Sequence, residues 1–267
     1  MIRSLFSGVS AVKNEQMRMD TIGNNIANVN TIGFKTGRIG FTDALSQSLR
    51  GSGVGRNPIQ VGTGVGIAGI GTNMNQGALQ MTGRSLDLAI NGTGFFEVRK
   101  PSSNDGSPDV GGSETLYTRD GTFYVDTNGY LCNAMGYYLI SNDDAIQISD
   151  VSVPVETVNI DQNGLITVNG DSDNAIQINL RTFPNPEGLE KRSLSLYAAT
   201  DASGEASDEI IPGDGCGTVE SGYLEMANAD LSEEFTNMIT TQRGYQAGAR
   251  IITISDTLLE ELINLKR

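Results

Sequence analysis

The chain has 267 residues, 33 of them Gly, with 18 Lys and Arg against 32 Asp and Glu, no Trp and no His. The missing histidine excludes Ser-His-Asp and Cys-His nucleophile systems, His-ligated zinc and a histidine general base. A net charge of −14 argues against nucleic acid, whose phosphates are held through Lys and Arg, and against anionic membrane surfaces.

The N-terminus has one basic residue, Arg3, and no unbroken apolar run, which predicts no cleavable signal peptide. No segment reaches the roughly 20 apolar residues of a membrane span. Leu5, Val12, Met19 and Ile26 recur every seven residues, flanked by Ile2 and Val9. That spacing predicts a helix over residues 1–29, about 35–40 Å long, ended by the Asn-rich run from Asn24 to Asn30. The companion line Ile2, Val9, Gln16, Gly23 weakens along its length, so a simple two-helix pair would bury it poorly.

Between about 59 and 220 the pattern changes to short runs of Val, Ile, Leu, Tyr and Phe broken by Gly and Asn. Asn-Gly pairs at 91–92, 128–129, 163–164 and 169–170 predict tight hairpins. The segments Val125 to Leu131 and Ile160 to Ile166 echo each other as strand, turn, strand, which is too few repeats for a solenoid and reads as two hairpins in one β domain. Segments 51–58, 101–114 and 201–218 are rich in Gly, Ser, Asp and Pro and read as exposed loops.

At the other end, Asp230 can cap a helix whose third residue is Glu233, with each residue serving the other's backbone N–H. Leu231, Met238, Tyr245, Ile252 and Leu259 then repeat every seven residues, and Ile251, Leu258, Leu262 and Leu265 widen the stripe. One helix over 231–265 would span on the order of 50 Å. The companion positions Gln242, Gly244, Gly248 and Ser255 are small or polar and suggest several neighbours rather than one.

Chemical motifs are weak. Gly64-Val65-Gly66-Ile67-Ala68-Gly69 matches a dinucleotide fingerprint, with Asp87 further on, but the residues after it form a poor helix. Asp171-Ser172-Asp173-Asn174 begins like a calcium loop, yet Ile176 stands at the glycine position and Thr182 at the closing acid. Asp143-Asp144 and the group Glu205, Asp208, Glu209, Asp214 read as solvated acids. Cys132 and Cys216 lack an activating base and read as free thiols. No catalytic, cofactor-binding or metal residue is assigned, and the chain reads as an assembly subunit, with a secreted β-rich adhesin as the alternative of another class.

Several motifs resemble the rod and hook axial proteins of the bacterial flagellum over nearly the whole chain. They are Ile22-Gly23-Asn24-Asn25-Ile26-Ala27-Asn28 with Gly33-Phe34-Lys35, then Gly92-Thr93-Gly94-Phe95-Phe96, Tyr117 to Phe123, and Glu234 to Tyr245. Within the family, Thr82-Gly83-Arg84-Ser85-Leu86-Asp87 is more similar to hook proteins. The Gly and Pro segment Gly51 to Pro58 partly resembles a stretch of distal-rod proteins, so a short hook protein is the first reading and a distal-rod protein the runner-up. Gly244 departs from the bulkier residue expected between Arg243 and Tyr245.

The resemblance implies an α+β fold, with long N- and C-terminal α-helices forming a coiled-coil-like inner domain and an all-β outer domain inserted between them. The expected divisions are 1–30 with 231–267 as the inner domain, 31–75 as a spacer and 76–230 as the outer domain. Leu5, Val9, Val12, Met19 and Ile26 with Asn24, Asn25 and Asn28 are the expected assembly residues of the first helix. Leu231, Phe235, Met238, Tyr245, Ile252, Leu259 and Leu262 are those of the second. The implied state is a helical homo-oligomer enclosing an export channel. Its implied partners are rod and hook-filament junction proteins, the hook cap and the flagellar type III export apparatus, with neither nucleic acid nor membrane insertion. Since ordering some sixty terminal residues offsets what their apolar stripes can bury alone, residues 1–30 and 231–267 are expected to be poorly ordered in the free monomer.

Overall fold

A computed structural model describes residues 2–53, 55–101, 114–148, 158–169, 171–193 and 195–265. The chain is mixed α/β and divides into two units. The first comprises Met1–Asn28, Thr36–Asn73 and Ala229–Arg267, the second Val29–Lys35 and Met74–Asn228.

In the first unit, α1 (Ile2–Ala27) and α2 (Leu231–Asn264) lie antiparallel. Ser4 Oγ is 3.4 Å from Ser255 Oγ at one end, and Asn25 Nδ2 donates to Glu234 Oε1 at 2.9 Å at the other. The seam is made close by small residues. A Cβ on Gly248 would stand 2.8 Å from Val12 Cγ2, and one on Gly8 would stand 3.3 Å from Ile251 and Ile252. The predicted Asp230 cap forms, with Oδ1 accepting from Ser232 N at 2.8 Å. The acid that docks is the neighbour of the expected one, because Glu233 stays exposed while Glu234 reaches Asn25.

Residues 37–72 of this unit form two ribbons, of which sequence patterning showed only the part beyond residue 59. Strand β1 (Gly37–Asp43) pairs antiparallel with β4 (Val65–Thr72), with a bulge at Gly40/Phe41. Strand β2 (Ser46–Arg50) pairs with β3 (Ile59–Gly62), and residues 51–53 and 55–58 between them are exposed, as expected. Residues 65–72 are therefore a strand, so the Gly64 to Gly69 pattern opens no helix N-terminus at which a pyrophosphate could bind.

Among its described residues the second unit is built of β-strands and loops, with a short 3-10 turn at Pro186–Gly188. Its largest sheet contains β7 (Phe96–Arg99), β8 (Thr115–Thr118), β9 (Phe123–Val125), β10 (Leu131–Asn133), β11 (Tyr138–Ser141), β12 (Asp144–Ala145), β16 (Glu190–Lys191) and β17 (Leu196–Ala198). The order is β16-β17-β8-β7-β11-β10-β9, with β12 on β11. A second sheet joins β13 (Val158–Ile160), β14 (Leu165–Val168) and β15 (Asp171–Gln177). The calcium-like acids at 171–173 thus begin a strand rather than a cation-binding turn.

Both echoed segments are hairpins, β9 to β10 and β13 to β14, turning at Gly129 (φ 83°) and Gly164 (φ 75°). Asn91-Gly92 is not one. Strand β6 (Leu88–Asn91) pairs with β18 (Thr218–Ser221), and β5 (Leu79–Met81) pairs with β19 (Tyr223–Glu225). Of the loop expected at 101–114, residues 102–113 lie outside the described residues. The 201–218 loop is less exposed than its composition suggests, since Ser203 is fully buried and its hydroxyl donates to Thr200 O at 2.8 Å.

Strand alternation divides the apolar side chains between two clusters. Phe96 and Val98 point into the main core with Leu88, Ile90, Phe123, Leu139 and Ile166. Phe95 points into a second cluster with Tyr117, Phe183, Leu189 and Tyr197, where the rings meet edge to face with centroids 4.8–6.1 Å apart. No helix is long and apolar enough to cross a membrane among the described residues.

Candidate assembly surface

The buried seam of α2 runs through Thr241, Gly248 and Ser255, seven residues apart and out of phase with the apolar heptad. Small side chains fill the contact with α1, which leaves the large ones beside or beyond it. Met238, Ile252 and Leu259 are half-buried, while Leu231, Phe235, Tyr245 and Leu262 are exposed. On α1, Leu5, Val12, Met19 and Ile26 are half-buried and Val9 is exposed. Gly248 and Ser255 thus face α1 within the subunit.

Three exposed apolar ridges result. Leu231, Phe235 and Ile239 follow i, i+4 spacing on α2, as do Ile251, Ile254, Leu258 and Leu262 with one i+3 step, and Phe6, Val9 and Met17 line α1. Phe6, Met17, Ile239 and Ile254 stand outside the seven-residue lines that the sequence offered. Contiguous apolar surface of this kind marks an interaction site.

The Asn-rich signature has a distinct local role. Asn25, 2% exposed, pairs its side-chain amide with the Gly37 backbone, donating to the carbonyl and accepting from N–H, both at 3.0 Å. Its Nδ2 also donates to Glu234. Asn28 closes the helix end on the Asn24 carbonyl, which accepts both its backbone N–H at 3.1 Å and its Nδ2 at 2.9 Å. Ile22 is buried and Asn24 is exposed.

In the second unit, motifs far apart in sequence meet in a buried charge cluster. Lys35 Nζ lies 2.6 Å from Glu225 Oε1 and donates to Asn75 O at 2.8 Å. Arg119 Nη1 is 3.3 Å from Glu225 Oε2, and its Nη2 donates to Gly92 O at 2.9 Å. Gly77 N also donates to Glu225 Oε1, at 2.8 Å. Burial pushes Lys35 and Arg119 below their ordinary pKa values, and the Glu225 charge opposes that shift. Gly33 holds φ 65°, and a Cβ there would stand 2.8 Å from Asp120 N. Glu225 went unread in the sequence, where nothing in its spacing ties it to Lys35 or Arg119.

Asp120 extends this region, its Oδ1 accepting from Thr122 N and Oγ1 at 3.0 and 2.7 Å. Burial raises its pKa, Asp87 adds repulsion, and the Thr122 bonds oppose both. The folded chain therefore binds more protons than the unfolded one just above the ordinary aspartate value, and stability rises as pH falls through the raised value. Asp120→Asn keeps the acceptor and removes the charge. Urea midpoints measured against pH should show equal or higher stability at pH 7 and no acid-side gain.

Both cysteines are free, and burial raises the pKa of each thiol. Among the described residues no group of three His, Cys, Asp or Glu is placed to hold a metal.

Comparison with known proteins connects these features. Residues 5–35 match the flagella basal body rod protein family, 89–168 the flagellar hook protein FlgE/F/G D1 domain, and 220–265 the flagellar basal body rod FlgEFG protein C-terminal family. The chain is 42% identical to the flagellar basal-body rod protein FlgG of Bacillus subtilis, with 100% of both chains covered. The chain belongs to the flagellar rod and hook family. Family members are structural proteins of the flagellum, in its basal body and hook, and not enzymes.

FlgG of Borreliella burgdorferi is 34% identical over 282 positions, whereas the same organism's hook protein FlgE is 28% identical over 452, each with both chains fully covered. A 267-residue chain spread over 452 positions leaves long hook segments without counterpart, so the comparisons favour the rod over the hook suggested by Thr82 to Asp87. That stretch does local work in the β unit. Arg84 bonds Asp87 Oδ1 at 3.1 Å and Phe123 O at 2.6 Å and lies over the Tyr124 ring, so its residues serve the fold.

Proposed function

We propose that the chain is a distal-rod subunit, polymerising into a hollow, stiff helical tube of the flagellar basal body. The observation that carries this is its end-to-end likeness to FlgG without the long segments that the hook protein FlgE of Borreliella burgdorferi carries. In this reading residues 1–30 with 231–267 form a coiled-coil-like inner layer, 76–230 the outer β domain, and 31–75 the segment connecting them.

The assembly residues are Leu5, Val9, Val12, Met19 and Ile26 with Asn24, Asn25 and Asn28 on α1. On α2 they are Leu231, Phe235, Met238, Tyr245, Ile252, Leu259 and Leu262. The exposed side chains among them, Val9, Leu231, Phe235, Tyr245 and Leu262, supply the reason, because apolar surface left open in one subunit is buried by the next. Its partners are further copies, adjoining rod and hook proteins, and the type III export apparatus.

Electron microscopy of the purified protein, concentrated in high salt, tests the reading. Straight tubes from the full chain are expected, with none from a chain lacking 1–30 and 231–267. Curved tubes would favour the hook, and tubes from the truncated chain would remove the terminal helices from the mechanism.

A further inference from the structure

Two buried donors of the second unit stand close together with no acceptor. Among the described residues, Arg119 Nε and the Tyr197 hydroxyl are buried polar atoms that lack a hydrogen-bond partner. Tyr197 is fully buried and Arg119 is 4% exposed. Both flank the Phe95 ring, whose centroid is 5.2 Å from the Arg119 guanidinium carbon and 6.1 Å from the centre of the Tyr197 ring. Burial, and then the Glu225 charge, hold the Tyr197 hydroxyl protonated, with Arg119 opposing them. It is therefore an O–H donor within electrostatic reach of the guanidinium.

The other groups of the cluster are already engaged. Arg119 uses Nη1 on Glu225 and Nη2 on the Gly92 carbonyl. Glu225 Oε1 accepts from Lys35 Nζ and Gly77 N, and its Oε2 accepts from Arg119. A guanidinium N–H can only donate, so Arg119 Nε needs an acceptor from elsewhere. Lys35 and Arg119 also set two cations against the one carboxylate of Glu225, and a buried charge in surplus is costly. A water would satisfy the donors and leave that surplus, whereas an anion answers both. Lys35, Phe95 and Glu225 are buried around the two donors, which disfavours an oxyanion as large as phosphate.

We infer that Arg119 Nε and the Tyr197 hydroxyl bind a small monovalent anion, of the size and charge of chloride, inside the β unit. The anion accepts from both donors and offsets the positive charge that Glu225 leaves over. All of these residues belong to the second unit, so the site stands or falls independently of the polymer reading.

Urea unfolding of the full-length protein, kept monomeric by dilution at pH 7, tests the site in mixtures of sodium chloride and sodium gluconate at fixed ionic strength. Near-ultraviolet circular dichroism follows the aromatic cluster around Phe95. The folded unit alone has the site, so beyond half-saturation the unfolding constant should fall about tenfold for each tenfold rise in chloride. Tyr197→Phe removes a donor that no protein group satisfies. Its stability should match or exceed the parent's in gluconate and fall below it in chloride, a crossing that lost packing does not produce. Glu225→Gln keeps the acceptor and removes the competing negative charge, so half-saturation should come at a chloride concentration lower by about tenfold or more.

Equal stability of the parent in the two salts would overturn the anion and give the donors to a water. A chloride dependence that persists in Tyr197→Phe would mark a general salt effect and overturn the site as well. Crystals of the full chain grown in bromide give the direct reading. An anomalous peak within hydrogen-bond reach of Arg119 Nε and the Tyr197 hydroxyl is expected, and a peak elsewhere, or none, would refute the site.

Discussion

Glu225→Ala is expected to lower the unfolding free energy of the second unit by about 3–5 kcal/mol. The carboxylate is fully buried between two buried cations, Lys35 at 2.6 Å and Arg119 at 3.3 Å, and it accepts the Gly77 N–H as well. Its removal strands two positive charges and a backbone donor where water does not reach them. For a unit of this size the loss corresponds to a fall of roughly 6–20 °C in thermal midpoint. Far-UV circular dichroism on heating, with urea titration alongside, reads it. A loss under about 1 kcal/mol would mean that the cluster is solvated in solution.

Two further variants separate charge from packing. Replacing the cluster together, as Lys35→Met, Arg119→Leu and Glu225→Leu, should recover most of the loss, since removing all the charges removes the desolvation cost with them. Recovery stops short of complete because Gly77 N and the Gly92 carbonyl lose their partners. Glu225→Gln keeps the acceptor and drops the charge that holds Lys35 up, so the lysine falls further below its ordinary 10.5. Across that window the unfolded chain binds more protons than the folded one, and stability should increase with pH. The slope should be steeper than in the parent protein.

Local signals were legible in the sequence, and pairings between distant segments were not. Asp230 announced the start of α2 because an N-cap acts on N–H groups two and three residues away. Asn128-Gly129 and Asn163-Gly164 announced hairpins because a glycine at positive φ reverses the chain within four residues. The same dipeptide at Asn91-Gly92 misled, since β6 finds its partner in β18, far along the chain.

The heptads of α2 were legible at the right period, and the companion positions Gly248 and Ser255 are where it meets α1. Hydrophobicity picks out the large side chains, but the antiparallel pair closes on Thr241, Gly248 and Ser255, where small residues let the backbones approach. Strand β1 was missed because Gly37 and Gly40 carry no side chain, which leaves only Ile39 and Phe41 to mark the apolar alternation of a half-buried strand. The charge cluster needed residues 35, 119 and 225 at once, and no local pattern carries that.

The ridge formed by Phe235 and Ile239 gives the second large effect. The two side chains are 50% and 59% exposed, one turn apart, and outside the seam with α1. Replacing both by Ser should change monomer stability by no more than about 0.5 kcal/mol per site, as for other surface positions. In a polymer their open halves become buried, and each contributes about 1–1.5 kcal/mol. The double variant should therefore raise the concentration needed for assembly roughly 30- to 150-fold, read by sedimenting tubes from a dilution series. Gln242→Ser, on an exposed polar position of the same helix, should leave it unchanged. Equal assembly of the double variant and its parent would show that this ridge faces no neighbour. A matched loss of monomer helicity would show instead that Phe235 and Ile239 hold α2 on its own subunit.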